Sequence, residues 1–170
     1  MKEILNRVST RTYSDKKIEK EKIEKLLLAG MSAPSARNQR PWEFLVVDDK
    51  NLLNKISEKC KNHYMAKDAS IAIIVLGNND KVTSEGYVMQ DLAASTENIL
   101  IEATYLNLAS VWLGVAPNTE RMDNIKNIFN LKDNYFAFSI IVLGYSDNII
   151  PKERKYDESL VHYNKLNDRE

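Results

Sequence analysis

The chain contains 170 residues, with 24 basic and 24 acidic side chains and a formal net charge of zero at pH 7. This length fits one domain with its own hydrophobic core, and the balanced charge argues against nucleic-acid or membrane binding driven by net charge. The sequence has no signal-peptide pattern and no apolar run long enough to span a membrane, so we expect a soluble, cytoplasmic protein.

Apolar periodicity predicts helices and strands that alternate along the chain. In chain order we predict helices over Lys2–Asn6 and Ile18–Leu28, a strand over Glu43–Asp48, a helix over Leu52–Lys61, a strand over Ser70–Leu76, a long helix from Tyr87, a strand over Ser110–Val115, a helix over Thr119–Phe129 and a strand over Ala137–Leu143. The unbroken apolar run of the second strand indicates burial on both faces. Strands alternating with amphipathic helices indicate an α/β or α+β sheet covered by helices.

Several shorter features complete the predicted architecture. Cys60, the single cysteine, excludes an internal disulfide framework and is expected to be a half-exposed thiol. Gly77–Gly86 is predicted to be a polar connection, and Thr119 to cap the helix that follows it. The polar tail after residue 150 cannot build a core of its own, so it is either disordered or laid along another surface, such as a partner subunit.

The long helix that begins at Tyr87 is more apolar than a surface helix needs to be. Its broad apolar face consists of Val88, Leu92, Thr96, Ile99, Ala103 and Leu106, widened by Met89, Ala93, Leu100 and Leu108. Its polar residues form a narrow stripe: Asp91, Ser95, Asn98 and Glu102. This pattern is typical either of a subunit interface or of the central helix of a monomeric core, and it does not decide between them.

Familiar catalytic patterns do not occur in the sequence. The two histidines lack metal-ligand spacing, and there is no P-loop, nucleophile elbow or Gly-x-Gly-x-x-Gly fingerprint. A phosphate would therefore have to be held by side chains. Arg7, Ser9 and Arg11 alternate, so in extended backbone they project to one side, where two guanidiniums and a hydroxyl suit a phosphate dianion. The alternative interpretation of this pattern is two solvated arginines on a terminal segment that bind no phosphate.

The loop from Pro34 to Trp42 is a second candidate site. Its prolines restrict the backbone, Ser35 and Asn38 offer polar contacts, and Trp42 is expected to anchor the loop in the core. A rigid loop of this kind can present hydrogen bonds to a flat heterocycle. The same composition is also typical of a well-packed connection before a strand that binds no ligand.

Five motifs, in this order, resemble the FMN-dependent nitroreductase family. They are Arg7-x-Ser9-x-Arg11, Ala33-Pro34-Ser35-x-x-Asn38-Gln39-x-Pro41-Trp42, Gln90-Asp91-Leu92-Ala93-Ala94, Val111-Trp112-Leu113-Gly114-Val115, and Arg154 with Val161-His162-Tyr163-Asn164. The resemblance implies an α+β, three-layer fold with a mainly antiparallel sheet flanked by helices. It implies a homodimer with one FMN in each of two interface sites. Residues 1–150 would form the FMN-binding domain, and residues 151–170 a domain-swapped extension on the partner subunit.

The resemblance also implies which residues hold the cofactor. The implied set is Arg7, Val8, Ser9, Arg11, Pro34, Ser35, Ala36, Asn38, Asn62, Leu113, Gly114 and Arg154. Arg7, Ser9 and Arg11 would hold the phosphate and ribityl end, and Arg154 would join them from the tail. The family pattern implies no metal ligand and no catalytic side chain, because the flavin carries the chemistry.

The flavin ring would be contacted from two directions. Pro34, Ser35 and Asn38 would reach it from the partner subunit, while Leu113-Gly114 would lie along it with a backbone N–H near N5. Asn62 matches an asparagine that bonds the pyrimidine edge in some family members.

One position departs from the family pattern. Some members carry a lysine three residues after that asparagine, where this chain has Met65. A cation near the ring stabilises the anionic reduced flavin. Arg11 or Lys67 would have to supply this charge.

The implied activity is that of an FMN-dependent NAD(P)H oxidoreductase. Hydride would pass through flavin N5 in a ping-pong reaction to a small acceptor such as a nitroaromatic. The alternatives are a flavin-dependent reductase of quinones, enones or halogenated aromatics, a non-enzymatic FMN-binding dimer, and an interaction scaffold without a cofactor. The sequence carries no dedicated dinucleotide motif that would choose between NADH and NADPH.

Overall fold

The structure is a computed structural model that describes residues 1–166, so the last four residues of the predicted extension lie outside the described residues. The described chain forms α1 (Lys2–Asn6), α2 (Lys20–Met31), β1 (Trp42–Val47), α3 (Lys50–Lys59), β2 (Ile71–Asn78), α4 (Val88–Tyr105), β3 (Ala109–Gly114), α5 (Thr119–Phe129) and β4 (Tyr135–Gly144). Short 3₁₀ turns lie in several of the connections. The predicted helices and strands are confirmed, with their ends shifted by a few residues.

The four strands form one antiparallel sheet in the order β1-β2-β4-β3. The central strand β2 is buried along its whole length, as its unbroken apolar run predicted. β1 and β3 are the two edges of the sheet. This arrangement of helices around an antiparallel sheet confirms the α+β class.

Two hydrophobic cores cover the two faces of the sheet, because successive residues of a strand point to opposite sides. The core beneath α2 and α4 is built mainly from Leu26, Ile71, Ile73, Val75, Leu92 and Ile99. The core beneath α3 and α5 is built mainly from Leu53, Ile56, Ala72, Ile74, Ile125 and Ile140. The described residues therefore form three layers, with the sheet in the middle.

Helix α4 turns most of its polar stripe toward α2 and the connection that follows α2. The Ser95 hydroxyl donates to the carbonyl of Gly30 over 3.0 Å, and the Asn98 amide donates to the carbonyl of Ala29 over 3.1 Å. Met89 was expected to widen the buried apolar face of α4, but it is 44% exposed. Within residues 1–166, no helix is long and apolar enough to cross a membrane.

Three local predictions are wrong. Asn118, not Thr119, caps α5, because its side-chain oxygen accepts the amide of Arg121 over 2.9 Å while Thr119 is already helical. The polar connection begins after Asn78, since β2 continues two residues beyond its predicted end. Cys60 is 1% exposed, because α3 ends before it and the thiol packs in the core beneath α3 and α5.

Candidate functional site

The N-terminal segment after α1 runs along the outer edge of β3. Ser9 pairs with Ser110 in a parallel bridge, and the Thr10 amide donates to the Ser110 carbonyl over 2.9 Å. Thr10 is buried while Ser9 and Arg11 are exposed, as their alternation predicted. The Tyr13 hydroxyl donates to the Thr10 carbonyl, and burial raises the pKa of Tyr13, so the phenol remains a donor.

The two arginines of this segment lie in different surroundings. Arg7 is half-buried, and its Nε lies 3.3 Å from the Glu97 carboxylate of α4. Arg11 is exposed and forms no ion pair within residues 1–166. Val8, between Arg7 and Ser9, lines a cavity of about 270 Å³ at the end of α4. The segment therefore offers one engaged and one free guanidinium on the two sides of Ser9.

The backbone of Gly114 at the end of β3 faces the same outer edge. The Gly114 carbonyl accepts Nη1 of Arg121 over 2.9 Å, outside the pairing with β4. The N–H and C=O of one strand residue point to the same side, so the Gly114 N–H also faces outward. A Cβ on Gly114 would meet no heavy atom within 4 Å apart from its chain neighbours, so the side of the strand to which this Cβ would point is open. The side chain of Leu113 is buried, which leaves only its backbone for a ligand.

A turn that follows α3 lies against this end of β3. His63 is 2% exposed, interacts with the backbone of Gly114, and its Nδ1 has no hydrogen-bond partner among the described residues. Burial, together with the positive charge of Arg121, lowers the pKa of His63 to about 4. The neighbouring Asn62 is exposed, with a left-handed φ of 68°. Met65 is buried in the core, so its side chain does not stand where a lysine could face a ligand.

The loop before β1 is fixed by buried and half-buried side chains. It contains four of the predicted site residues: Pro34, Ser35, Ala36 and Asn38. The Asp91 carboxylate of α4, which is 5% exposed, accepts the Ala36 amide over 2.9 Å and the Gln39 side-chain amide over 2.6 Å. The Ser35 hydroxyl accepts the Arg40 amide over 3.0 Å. The backbone of this loop is therefore held in one conformation.

The two groups of predicted residues lie at opposite edges of the sheet. The loop leads into β1 through Trp42, which is buried as predicted, and the Pro41 carbonyl accepts the Asn78 amide over 2.8 Å. The segment with the arginines lies beside β3. Three inter-strand spacings, about 14 Å, separate the two edges. A single copy of the chain thus carries two separate sets of donors.

The predicted tail residue lies apart from both sets. Arg154 is exposed, and it forms no hydrogen bond or ion pair with another of the residues 1–166. The contacts of the described chain do not bring it to Arg7 or Arg11.

The outer edge of β3 fits the chemistry of FMN. Arg7, Ser9 and Arg11 supply charge-assisted and neutral donors suited to a phosphate. Gly114 supplies an outward N–H, and the position of its missing Cβ is unobstructed. Gly114 lies four residues after Ser110, the residue beside Ser9, which corresponds to about 13 Å along the strand. The donors for an anionic group and the space for a ring therefore lie along one continuous edge.

Comparison with known proteins places this geometry in a family. The sequence profile of the nitroreductase family matches residues 4–80 and 57–145. The chain belongs to the nitroreductase family. A protein of Archaeoglobus fulgidus, provisionally named NADH dehydrogenase/NAD(P)H nitroreductase, is 44% identical over 157 residues, which cover 91% of this chain and 87% of the relative.

Two solved structures support the nitroreductase assignment. A protein of Clostridium acetobutylicum, provisionally named an NADH oxidase, has a TM-score of 0.93 and 46% identity and covers 96% of this chain and 99% of its own. An FMN-dependent nitroreductase of Clostridium difficile has a TM-score of 0.88 and 30% identity and covers 98% of this chain and 100% of its own. The resemblance to the nitroreductase family is confirmed.

Two residues of the site were not predicted from the sequence. Asp91 was noted only as part of a motif and a polar stripe, although it fixes the loop 55 residues before it. Arg121 was not noted at all, although it bonds Gly114. Its position in the first turn of a helix directly after β3 was the available signal, because that helix folds back beside the strand end.

Proposed function

We propose that this member of the nitroreductase family is an FMN-dependent NAD(P)H oxidoreductase that works as a homodimer. The enzyme class and the cofactor are supported by the family match and by the 30% sequence identity to the FMN-dependent nitroreductase of Clostridium difficile. The observation that carries the proposal is the bridge from Ser9 to Ser110. It aligns the arginine segment with the strand that ends at the open Gly114 peptide.

A second copy of the chain completes each site in this proposal. In one copy the arginine segment lies beside β3 and the loop leads into β1, at sheet edges about 14 Å apart, so the loop of the second copy would close the site at the first copy's β3 edge. Apolar side chains on α1 and α4 support such an interface, because Ile4 is 53%, Leu5 46% and Tyr105 63% exposed. Surfaces of this kind are typical of interaction sites.

The tail is proposed to take part in the same assembly. Residues 1–150 form the FMN-binding domain, and residues 151–170 form an extension that packs on the partner subunit. Tyr156, Leu160 and Tyr163 are between 70% and 81% exposed, so they have apolar surface to bury. Arg154 then reaches the phosphate of the partner's site.

The residues of this chain bind and orient the cofactor. Arg7, Ser9 and Arg11 hold the phosphate, while the Gly114 peptide bonds the ring edge. Asn62, beside the Gly114 end of β3, bonds the pyrimidine edge. The chemistry that FMN supplies when bound is hydride transfer through N5, first from NADH or NADPH and then, after the nicotinamide has left, to the acceptor.

The acceptor is proposed to be a small molecule such as a nitroaromatic. The imidazole near Gly114 belongs to His63, which is 2% exposed and therefore does not reach a ligand as a general acid or base. This arrangement suits a reaction in which positioning and electrostatics are the protein's contribution.

Purification of the protein followed by a visible spectrum and size-exclusion chromatography tests the proposal. We expect a yellow dimer, oxidation of NADH or NADPH that depends on an added acceptor, and parallel lines in double-reciprocal plots of donor against acceptor. A colourless monomer that fails to bind added FMN would overturn it. A yellow dimer without turnover on nitroaromatics, quinones, enones or halogenated aromatics would identify a non-enzymatic flavin-binding protein instead.

A further inference from the structure

A hydrogen-bond network centred on the buried carboxylate of Asp91 ties the loop before β1 to two other parts of the chain. Asp91 accepts the Ala36 amide with one oxygen and the Gln39 side-chain amide with the other. The Gln39 carbonyl oxygen in turn accepts the backbone amides of Thr83 and Ser84, each over 2.9 Å. Gln39 thereby connects helix α4 to the segment that precedes it.

The orientation of the Gln39 amide is fixed by this network. Its oxygen must face two N–H donors, and its nitrogen must face the Asp91 carboxylate and the Ser84 carbonyl, 3.3 Å away. Rotation by 180° would place N–H groups against N–H groups and oxygen against oxygen. Every hydrogen-bonding atom of this amide thus has a complementary partner in one orientation only.

The loop that the network holds has an unfavourable backbone. Arg37, Asn38 and Arg40 have φ values of 51°, 55° and 45°, in the left-handed region that favours glycine. Asparagine tolerates this region, but arginine adopts it only when its surroundings impose it. The bonds from Asp91 and Gln39 flank these residues and supply such a constraint.

We propose that Asp91 and Gln39 are positioning residues that set the affinity for FMN without touching it. The inference rests on the proposed function, in which Pro34, Ser35 and Asn38 present polar groups to a bound flavin. Loss of the network lets the strained residues relax to negative φ. The peptide groups of the loop then turn away from the positions in which they bind the ring.

An exchange of the two polar groups tests this role. In Asp91→Asn, the new amide nitrogen faces the amide nitrogen of Gln39, and in Gln39→Glu two carboxylates face each other. In the double variant, the new amide on α4 donates its N–H to the new carboxylate on the loop. The Ala36 amide still has an oxygen on α4 to donate to, and the loop carboxylate still accepts from Thr83 and Ser84. The one bond that the exchange does not restore is the 3.3 Å contact from the Gln39 nitrogen to the Ser84 carbonyl. We expect each single variant to weaken FMN binding by tenfold or more, and the double variant to return to within about threefold of the wild type.

Two readouts separate positioning from a purely structural role. The first is the dissociation constant of FMN from reconstituted protein, measured well below the melting temperature of each variant. The second is the rate of tryptic cleavage after Arg37 in FMN-free protein, which should rise in the single variants and fall again in the double variant. Ser95→Ala is the matched control, because it removes a buried hydrogen bond of α4 to α2 and leaves the loop untouched.

The outcomes are distinct. If the single variants melt earlier but bind FMN like the wild type, as we expect of Ser95→Ala, the inference is wrong. If the double variant binds no better than the single variants, it is also wrong. The wild type could also bind no FMN while tryptic cleavage still rises in the single variants and falls in the double variant. In that case the network holds the loop, but the proposed function is wrong. Should Asp91→Asn not fold, Gln39→Ala replaces it in both measurements.

Discussion

At the β3 edge the polar groups are long side chains and one outward peptide. At the β1 edge they belong to a loop that a buried carboxylate holds through the Ala36 backbone amide and the Gln39 side-chain amide. Arg11 is exposed and Gly114 has open space beside it. Asp91, by contrast, is 5% exposed and binds its loop through two hydrogen bonds. The first edge can adapt to a ligand, and the second is organised before a ligand arrives.

This difference predicts which substitutions change binding and which change stability. At the β3 edge a lost group leaves the fold intact, because few native contacts depend on it. At the β1 edge and in the elements packed beneath it, a change disturbs the surrounding structure. Variants that separate the two properties therefore test the comparison.

The largest effect is expected from removing both arginines of the β3 edge. Each charge-assisted bond to a phosphate contributes about 1.5–3 kcal/mol, so Arg7→Ala/Arg11→Ala should weaken FMN binding by about 100- to 10,000-fold. The melting temperature of the FMN-free protein should change little, since surface substitutions usually alter stability by about 0.5 kcal/mol or less. Fluorescence titration of FMN and thermal denaturation measure the two quantities.

The control for the double variant is Lys20→Ala/Lys25→Ala on the exposed face of α2. It also removes two positive charges, but from exposed positions on α2 and not from the segment that pairs with β3. Equal loss of FMN binding in both variants would show that overall charge, and not the arginine segment, attracts the phosphate.

The next effect concerns His63, which packs behind Gly114. Its pKa is about 4 in the folded protein, against about 6.5 in an unfolded chain, so between these values the unfolded state binds more protons. The free energy of unfolding should therefore rise by up to about 3 kcal/mol as the pH is raised from about 4 to about 6.5. The same stabilisation is lost when the pH is lowered through this range. Urea unfolding at several pH values measures the slope.

His63→Leu should remove this contribution to the pH dependence. Nδ1 of His63 is buried without a partner among the described residues, and the Gly114 carbonyl keeps its bond from Arg121 when the imidazole is removed. An apolar replacement therefore leaves no new unsatisfied group and should fold. An unchanged slope in the variant would assign the pH dependence to other groups.

Two strand glycines compare the open β3 edge with the packed strand β2 beside the β1 edge. A Cβ at Gly77, which pairs with Trp42 of β1, would lie 2.2 Å from the Phe136 ring, whereas a Cβ at Gly114 would meet nothing within 4 Å. Gly77→Ala should lower the free energy of unfolding by about 1–3 kcal/mol because the ring must move. Gly114→Ala should leave stability unchanged or slightly higher but weaken FMN binding, because the methyl group enters the space proposed for the ring.

Chemical denaturation and FMN titration of both variants check this pair. The comparison fails if Gly114→Ala binds FMN as tightly as the wild type, or if Gly77→Ala unfolds at the same denaturant concentration.

The sequence predicted what depends on local periodicity. The helices, the strands and the alternation of Ser9 and Arg11 with Thr10 follow from the spacing of apolar and polar residues at two, three or four positions along the chain. This spacing can be read from neighbouring residues alone. The burial of Trp42 followed from its size and its position before an apolar strand.

The sequence did not predict what depends on distant partners. The role of Asp91 requires a loop 55 residues away, and the bond from Arg121 to Gly114 requires a helix to fold back on its strand. Cys60 was expected to be half-exposed because its sequence neighbours are lysines, yet the end of α3 turns its thiol inward. Such features arise from tertiary packing, which overrides local composition.

The smallest expected effect comes from Glu97, which lies 3.3 Å from Arg7. Because this carboxylate is 43% exposed, the ion pair contributes at most about 1 kcal/mol to stability. It also competes with a phosphate for the same guanidinium. Glu97→Gln should therefore leave the melting temperature nearly unchanged and tighten FMN binding about threefold, whereas Glu102→Gln, further along α4, should change neither. Weaker binding in Glu97→Gln would mean that the carboxylate orients Arg7 toward the ligand, and that even the β3 edge is partly organised before FMN arrives.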